Sequence, residues 1–308
     1  ALRGIMAPVY KYFDAFYMDW YRLQTTERAS RSRVGWISAY PSLSSQRAPS
    51  PTSMRVFSSG KFGSMDEPVN DSKGSGCLLR AVPIGLSYSR DPNRIVELGA
   101  NTAALTHGNE VAWMASGALA LIISLIIHQE LSITEAVNKT LKVLDESFPN
   151  SSTVVYELSR TIRSAVSLAS SASSDLDAIH ALGKGWAADE ALAIGLLCAL
   201  RHENDIAGAI TFAANHCGDS NNTAAIAGTL VGARIGFNAI PDRFVDRLEL
   251  VDVILELADD VTTYCPMYDW GPSNPVWEHK YIHSDYAYWR RRTPEAKENV
   301  ENEDKQTD

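Results

Sequence analysis

Residues 217–236, CGDSNNTAAIAGTLVGARIG, decide how the rest of the chain is interpreted. A polar head opens this stretch, and a run of small residues follows it. Gly228, Gly232 and Gly236 recur at every fourth position, which places them on one face of a helix. Because glycine lets two backbones approach closely, we expect this face to lie against a neighbouring helix in the core.

The polar head carries Asp219, Asn221 and Asn222 at the point where the helix should begin. The dipole and free N–H groups of a helix start favour anions, whereas Asp and Asn oxygens are ligands for hard cations. The residues alone leave open a capped and tightly packed core helix, a cation site and a phosphate site.

Three further segments place polar residues next to apolar runs. Residues 70–86 read NDSKGSGCLLRAVPIGL, and we expect N–H groups of the loop at Gly74, Ser75 and Gly76 to suit phosphate or ribose oxygens. Residues 105–107 read LTH, where Thr106 is expected to cap the long apolar helix that follows. Residues 183–194 read GKGWAADEALAI. Taken singly, the loop is an ordinary turn and the histidine an ordinary structural group.

In this order, the four segments resemble those of the ADP-ribosylglycohydrolase family. Residues 217–236 resemble its metal motif G-D-x-D-[ST]-T with the helix that follows, and residues 70–86 resemble its glycine-rich loop. Residues 105–107 and 183–194 resemble its Thr-His and G-x-G-W-x-x-E-A-L-A segments. The scarcity of alternating apolar residues predicts an all-α fold, and the resemblance implies a compact orthogonal helical bundle with a central cleft.

The resemblance also implies a chemistry. In the family, two Mg²⁺ ions hold the ribose hydroxyls of ADP-ribose and a water that attacks the anomeric carbon. The cleaved bond joins ADP-ribose to a protein side chain or a small acceptor. The implied contacts are metal ligands at Asp219, Asn221 and Asn222, and substrate contacts at Gly74, Ser75, Gly76 and His107.

The chain departs from the family pattern in two places. The G-D-A and T-D-D-T motifs, which supply a Thr and two Asp, do not occur in the 308 residues, so the catalytic residues are unknown and the domain is expected to be N-terminally incomplete. Asn221 and Asn222 stand where the family has Asp and Ser or Thr. We therefore weigh an impaired Mg-dependent hydrolase against a degenerate ADP-ribose-binding homologue and a crystallin-like structural protein.

The amino-acid composition limits the kinds of partner that the chain is expected to bind. The 28 basic and 37 acidic residues give a net charge of −9, which disfavours nucleic acid as a partner. Four dispersed cysteines without C-x-x-C spacing indicate neither zinc nor a disulfide framework, and we expect a cytoplasmic setting. The apolar run 111–127 is expected to be a buried helix and not a membrane span, because Gly and Ser interrupt it and basic flanks are missing.

Three regions are predicted along the chain. Residues 1–265 should form the helical domain, and residues 266–293 an aromatic-rich strap. Residues 294–308 are acidic and almost free of apolar side chains, which indicates a disordered tail.

Overall fold

The computed structural model describes residues 9–25, 35–86, 91–262 and 274–289. These residues form helices and short helical turns without a β-strand, which confirms the predicted all-α fold. The tail 294–308, Cys265 and part of the predicted strap lie outside the described residues. The α-helices are α1 (Val9–Thr25), α2 (Pro51–Ser59), α3 (Val82–Leu86), α4 (Pro92–Ala104), α5 (Glu110–Gln129), α6 (Ile133–Ser147), α7 (Ser152–Ala169), α8 (Asp175–Leu182), α9 (Ala188–Arg201), α10 (Ile206–Ala214), α11 (Ser220–Ile235), α12 (Val251–Thr262), α13 (Pro275–Trp277) and α14 (Tyr286–Trp289).

Contacts divide the chain into two compact units. The larger unit covers residues 50–247 and the smaller one combines residues 1–49 with residues 248–308. The predicted boundaries at residues 265 and 293 stay predictions.

Helix α5 forms the centre of the larger unit. It contacts α3, α4, α6, α7, α9 and α11, and its residues from Val111 to Ile126 are all buried. By length and composition it could also cross a membrane, but 89% of its most apolar stretch is buried within this structure. This is the buried helix that the apolar run predicts.

Glycines lie at several close contacts between helices, including two of the three positions that the sequence predicts. A Cβ at Gly195 of α9 would lie 2.4 Å from the Cγ2 atom of Ile226 on α11, so this pair is packed without spare room. Gly228 and Gly232 both face α10, as the sequence predicts. A Cβ at Gly228 would lie 3.2 Å from Ile210, which is a tight contact, whereas a Cβ at Gly232 would lie 3.8 Å from Ile206, which is an ordinary one. The prediction is wrong for Gly236, which ends α11 with a positive φ of 76° and has nothing within 4 Å of its Cβ position.

The smaller unit has a core of its own, built around Trp36. The Tyr286 ring meets the Trp36 ring edge-on, with 5.2 Å between their centroids, and Val253 completes the buried cluster. Lys280 is only 3% exposed, and its Nζ lies 2.7 Å from both Glu256 and Asp260. The aromatic segment therefore joins α12 to the turn at Trp36, with its buried ammonium group paired as burial of a charge requires.

Candidate functional site

A polar cluster forms in the larger unit where α11 begins. The Ser75 hydroxyl donates to Oδ2 of Asp219 over 2.5 Å, although 144 positions separate the two residues in sequence. The side-chain amide of Asn222 donates to the same oxygen over 2.7 Å and lies 3.1 Å from the Ser75 hydroxyl. Asp219 is only 6% exposed, so its carboxylate oxygen is buried and held by neutral donors. Asn221, in contrast, is exposed to solvent.

Backbone hydrogen bonds fix the glycine loop and the start of α11 to one turn, residues 183–187. The Ser75 N–H donates to the Trp186 carbonyl over 3.0 Å, and the Asp219 N–H donates to the Lys184 carbonyl over 2.8 Å. Gly218 is required here, because a Cβ would lie 1.9 Å from the Lys184 carbonyl oxygen. These bonds hold three segments that are distant in sequence as one rigid frame.

The same bonds correct one prediction about the glycine loop. The Ser75 N–H is taken by Trp186, and the Gly74 N–H donates to the Ser72 hydroxyl over 3.3 Å. These two groups therefore bind the protein itself, and a phosphate could not receive them without breaking those bonds. The loop also continues into a 3₁₀ helix, Ser75–Ala81, instead of opening an α-helix.

His107 lies behind this loop and is only 1% exposed. Its Nδ1 faces the Thr106 hydroxyl at 2.8 Å and the Arg80 guanidinium at 3.5 Å. Because a guanidinium can only donate, Nδ1 is the acceptor, which puts the proton of the neutral ring on Nε2. Burial, followed by the positive charge of Arg80, lowers the pKa of His107 to about 3, so the ring is neutral at physiological pH.

The other ring nitrogen of His107, Nε2, is a candidate donor to a ligand. It is buried and has no hydrogen-bond partner among the described residues. It faces the glycine loop, since Cβ atoms at Gly74 and Gly76 would lie 3.4 Å and 3.9 Å from it. Leaving a buried donor unsatisfied costs about 1–3 kcal/mol, so a ligand oxygen placed here would recover that free energy.

Asn70 holds the backbone on both sides of His107. Its amide group donates to the Thr106 carbonyl over 2.8 Å, and its oxygen accepts the Gly108 N–H at 3.2 Å and the Ser72 N–H at 2.9 Å. Asn70 is not among the site residues predicted from the sequence. Its position at the start of the glycine-rich segment is the signal that could have identified it.

The Thr106 hydroxyl serves this network and not the helix start. It bonds to Arg80 and His107, while α5 begins after Asn109, whose side chain accepts the Val111 N–H over 3.1 Å. The prediction of Thr106 as the helix cap is therefore wrong, because Asn109 holds that position.

The outer rim of the site carries an exposed aromatic ring and positive charge. Trp186 is 62% exposed although its backbone is fixed to Ser75. Lys73 and Lys184 are both exposed and adjoin the glycine loop and the turn. An exposed aromatic ring can receive an aromatic base, and exposed ammonium groups can attract an anion.

The residues of the cluster do not fit a two-magnesium centre. Mg²⁺ demands octahedral oxygen coordination, and paired ions need carboxylates to balance their charge. The cluster offers one carboxylate, and its Oδ2 already accepts two hydrogen bonds from Ser75 and Asn222. Within the described ranges, no three side chains of His, Cys, Asp or Glu converge as a metal site.

Comparison with known proteins adds family membership to this geometry. No curated protein matches the chain. The sequence model of the ADP-ribosylglycohydrolase family matches residues 3–269, which is most of the 308-residue chain. The match spans the glycine loop, His107, the turn 183–187 and the polar head of α11, and the chain therefore belongs to the ADP-ribosylglycohydrolase family.

Proposed function

We propose that this member of the hydrolase family binds the ADP-ribose part of ADP-ribosylated proteins or small molecules, and that the 308-residue chain cleaves the glycosidic bond slowly or not at all. The observation that carries the proposal is the Asp219 cluster. Its carboxylate is buried among neutral donors, and this arrangement supports ligand binding but not a pair of divalent ions.

The binding part of the proposal rests on the donors and the ring around the loop. The Nε2–H group of His107 is a buried donor without a partner, and it can donate to a ribose or phosphate oxygen when the loop at Gly74 and Gly76 moves to admit one. The ammonium groups of Lys73 and Lys184 can attract the doubly charged pyrophosphate, in a chain that is otherwise acidic.

Trp186 supplies a stacking surface for the adenine. Its ring is 62% exposed and therefore accessible to a base, and its backbone carbonyl is fixed by the Ser75 N–H. Stacking of a base on an aromatic side chain contributes about 1–3 kcal/mol.

The catalytic part of the proposal follows from charge. Asn can coordinate a cation through its carbonyl oxygen, but it brings no negative charge to a site that would hold two divalent ions. In addition, the Asn222 nitrogen and not its oxygen points at Asp219, and Asn221 is exposed. We therefore expect weak Mg²⁺ binding and an attacking water that is poorly positioned, and misplacement alone can cost about 10²-fold in rate.

Calorimetry and a release assay test the two parts separately. Titration with ADP-ribose should give a Kd that is the same in millimolar Mg²⁺ and in EDTA, and Trp186→Ala should weaken it. Release from ADP-ribosyl-arginine and ADP-ribosyl-serine peptides in millimolar Mg²⁺ should be slow or absent.

Two results would overturn the proposal. Rapid release that is abolished by Asp219→Ala would mean that a working metal centre forms with carboxylates from elsewhere in the protein. Absence of ADP-ribose binding under both conditions would instead favour a crystallin-like structural role.

A further inference from the structure

Glu190 has contacts that its position in the helix does not explain. It is the third residue of α9, where a glutamate commonly bonds back to the cap residue of its own helix. Here the cap residue is Ala187, whose side chain cannot form a hydrogen bond, so a reciprocal capping box is impossible. The Glu190 carboxylate instead reaches past it and accepts the N–H groups of Lys184 and Gly185, over 3.1 Å and 3.0 Å.

The chain leaves room for this carboxylate. A Cβ at Gly183 would lie 2.5 Å from the Cδ atom of Glu190, so any larger residue there would displace the side chain. Gly183 has a φ of 122° and Gly185 a φ of 75°, both in the region that favours glycine. The turn is thus shaped around the carboxylate by glycines at positions 183 and 185.

The two N–H groups belong to the turn that joins the halves of the site. The Lys184 carbonyl accepts the Asp219 N–H, and the Trp186 carbonyl accepts the Ser75 N–H. One side chain therefore holds the segment to which both the glycine loop and the start of α11 are fixed. The same turn carries Trp186 on the rim.

We infer that Glu190 is the positioning residue of the ADP-ribose site: its carboxylate fixes the turn 183–187 and, through that turn, sets the distance between the glycine loop, the Asp219 cluster and the Trp186 ring. It touches no substrate in this role. The choice of ADP-ribose as the ligand in this inference rests on the proposed function.

A capping role alone makes a different prediction, and α6 provides the matched control. Glu135 is also the third residue of its helix, and it forms a reciprocal capping box with Ser132. Glu135→Ala removes a helix-capping carboxylate that makes no contact with the turn. If Glu190 only stabilises the start of α9, Glu190→Ala and Glu135→Ala should behave alike.

The experiment compares Glu190→Ala, Glu190→Gln and Glu135→Ala in ADP-ribose calorimetry, thermal unfolding and amide hydrogen exchange. Hydrogen bonds to a charged group contribute enough that we expect Glu190→Ala to raise the Kd for ADP-ribose about tenfold or more. Glu190→Gln keeps an oxygen that can accept the same N–H groups, and it should restore most of the affinity. Glu135→Ala should lower the melting temperature and leave the Kd unchanged.

Amide exchange gives a readout that does not need the ligand. In Glu190→Ala, exchange at Ser75 and Asp219 should accelerate together with that at Lys184 and Gly185, because all four N–H groups depend on the turn. In Glu135→Ala these amides should keep their wild-type protection. If the wild type fails to bind ADP-ribose, the proposed function is lost, but this exchange pattern still decides the role of Glu190.

An unchanged Kd in a folded Glu190→Ala variant, with wild-type exchange at Ser75 and Asp219, would overturn the inference. If Glu190→Ala does not fold, Glu190→Asp takes its place. It keeps the negative charge but is one methylene group too short to reach both N–H groups. Wild-type affinity and exchange in Glu190→Asp would overturn the inference equally.

Discussion

Lowering the pH from 7 to 5 should weaken the fold through His107, which is buried in its neutral form. The unfolded chain takes up a proton on this imidazole below about pH 6.5, whereas the folded protein does so only near pH 3. Between these values the unfolded state binds more protons, so the free energy of unfolding decreases as the pH falls. The decrease is about 1.4 kcal/mol per pH unit below 6.5, or about 2 kcal/mol at pH 5.

Denaturant unfolding of the wild type and of His107→Asn at several pH values measures this term. Asparagine keeps an oxygen that can accept from Thr106 and Arg80 but does not titrate, so the variant should lose the contribution of His107 to the pH dependence. Burial also lowers the pKa of His216, and therefore the quantity to compare is the difference between the two proteins at each pH.

The wild type and His107→Asn should diverge in pH dependence by about 2 kcal/mol between pH 7 and pH 5. Parallel curves over this range would refute the reasoning, because they would mean that His107 takes up its proton equally in the folded and unfolded states. The ring would then not be buried as a neutral donor facing the glycine loop. The proposed hydrogen bond to the ligand would lose its basis with it.

Four substitutions test other parts of the structure. Trp186→Ala should weaken ADP-ribose binding by about 1–3 kcal/mol in calorimetry while the melting temperature stays unchanged, since the ring is exposed; unchanged affinity would exclude the ring as a stacking surface. Asn70→Ala should lower the free energy of unfolding by about 1–3 kcal/mol in denaturant titrations, because it leaves buried backbone groups beside His107 without partners; a neutral effect would contradict this role. Gly195→Ala should destabilise by about 1–3 kcal/mol through the contact with Ile226, whereas Gly232→Ala, with 3.8 Å of space, should be neutral or should stabilise by roughly 0.5–1 kcal/mol; equal effects would contradict the packing of α11.

The helices of the core were predictable from apolar spacing, because burial of an apolar face decides which segments become helices. The run 111–127 carries no charged residue, and its burial as α5 could therefore be predicted. The exact helix ends were not predictable in the same way. Thr106 and Asn109 are both good cap residues. Arg80, 26 positions before Thr106 in the sequence, donates a hydrogen bond to the Thr106 hydroxyl, and Asn109 then caps the helix.

The glycine pattern of α11 shows a second limit of sequence reasoning. A spacing of four residues correctly puts Gly228 and Gly232 on one face, but it cannot tell how close the neighbouring helix comes. That distance depends on the partner residues, here isoleucines of α10 with long side chains. The tightest contact of α11 is at Gly195, a single glycine within α9 that belongs to no repeat.

The site, too, was predictable only in part, because its geometry depends on contacts between segments that are distant in sequence. The family resemblance predicted that the glycine loop, His107 and Asp219 belong to one site. Hydrophobic periodicity could not predict this, because it gives no information on contacts between distant segments. The resemblance did not reveal that the backbone N–H groups of Gly74 and Ser75 are occupied, or that Trp186 is exposed on the rim. Those facts depend on how the turn 183–187 sits against the loop, which only the structure describes.

Residue 222 is a position where the chain departs from the family motif, and its side chain determines how the Asp219 carboxylate is stabilised. The family has Ser or Thr at this position, and the oxygen of a hydroxyl group can serve as a ligand for a cation. Asn222 presents an N–H group instead and lies 2.7 Å from Oδ2 of Asp219, so the buried charge is stabilised by neutral donors. Because a buried carboxylate with satisfied hydrogen bonds is stable without a metal, the cluster can serve as a fixed wall of a ligand site. For the same reason, a cation entering this cluster would have to displace bonds that the fold already makes.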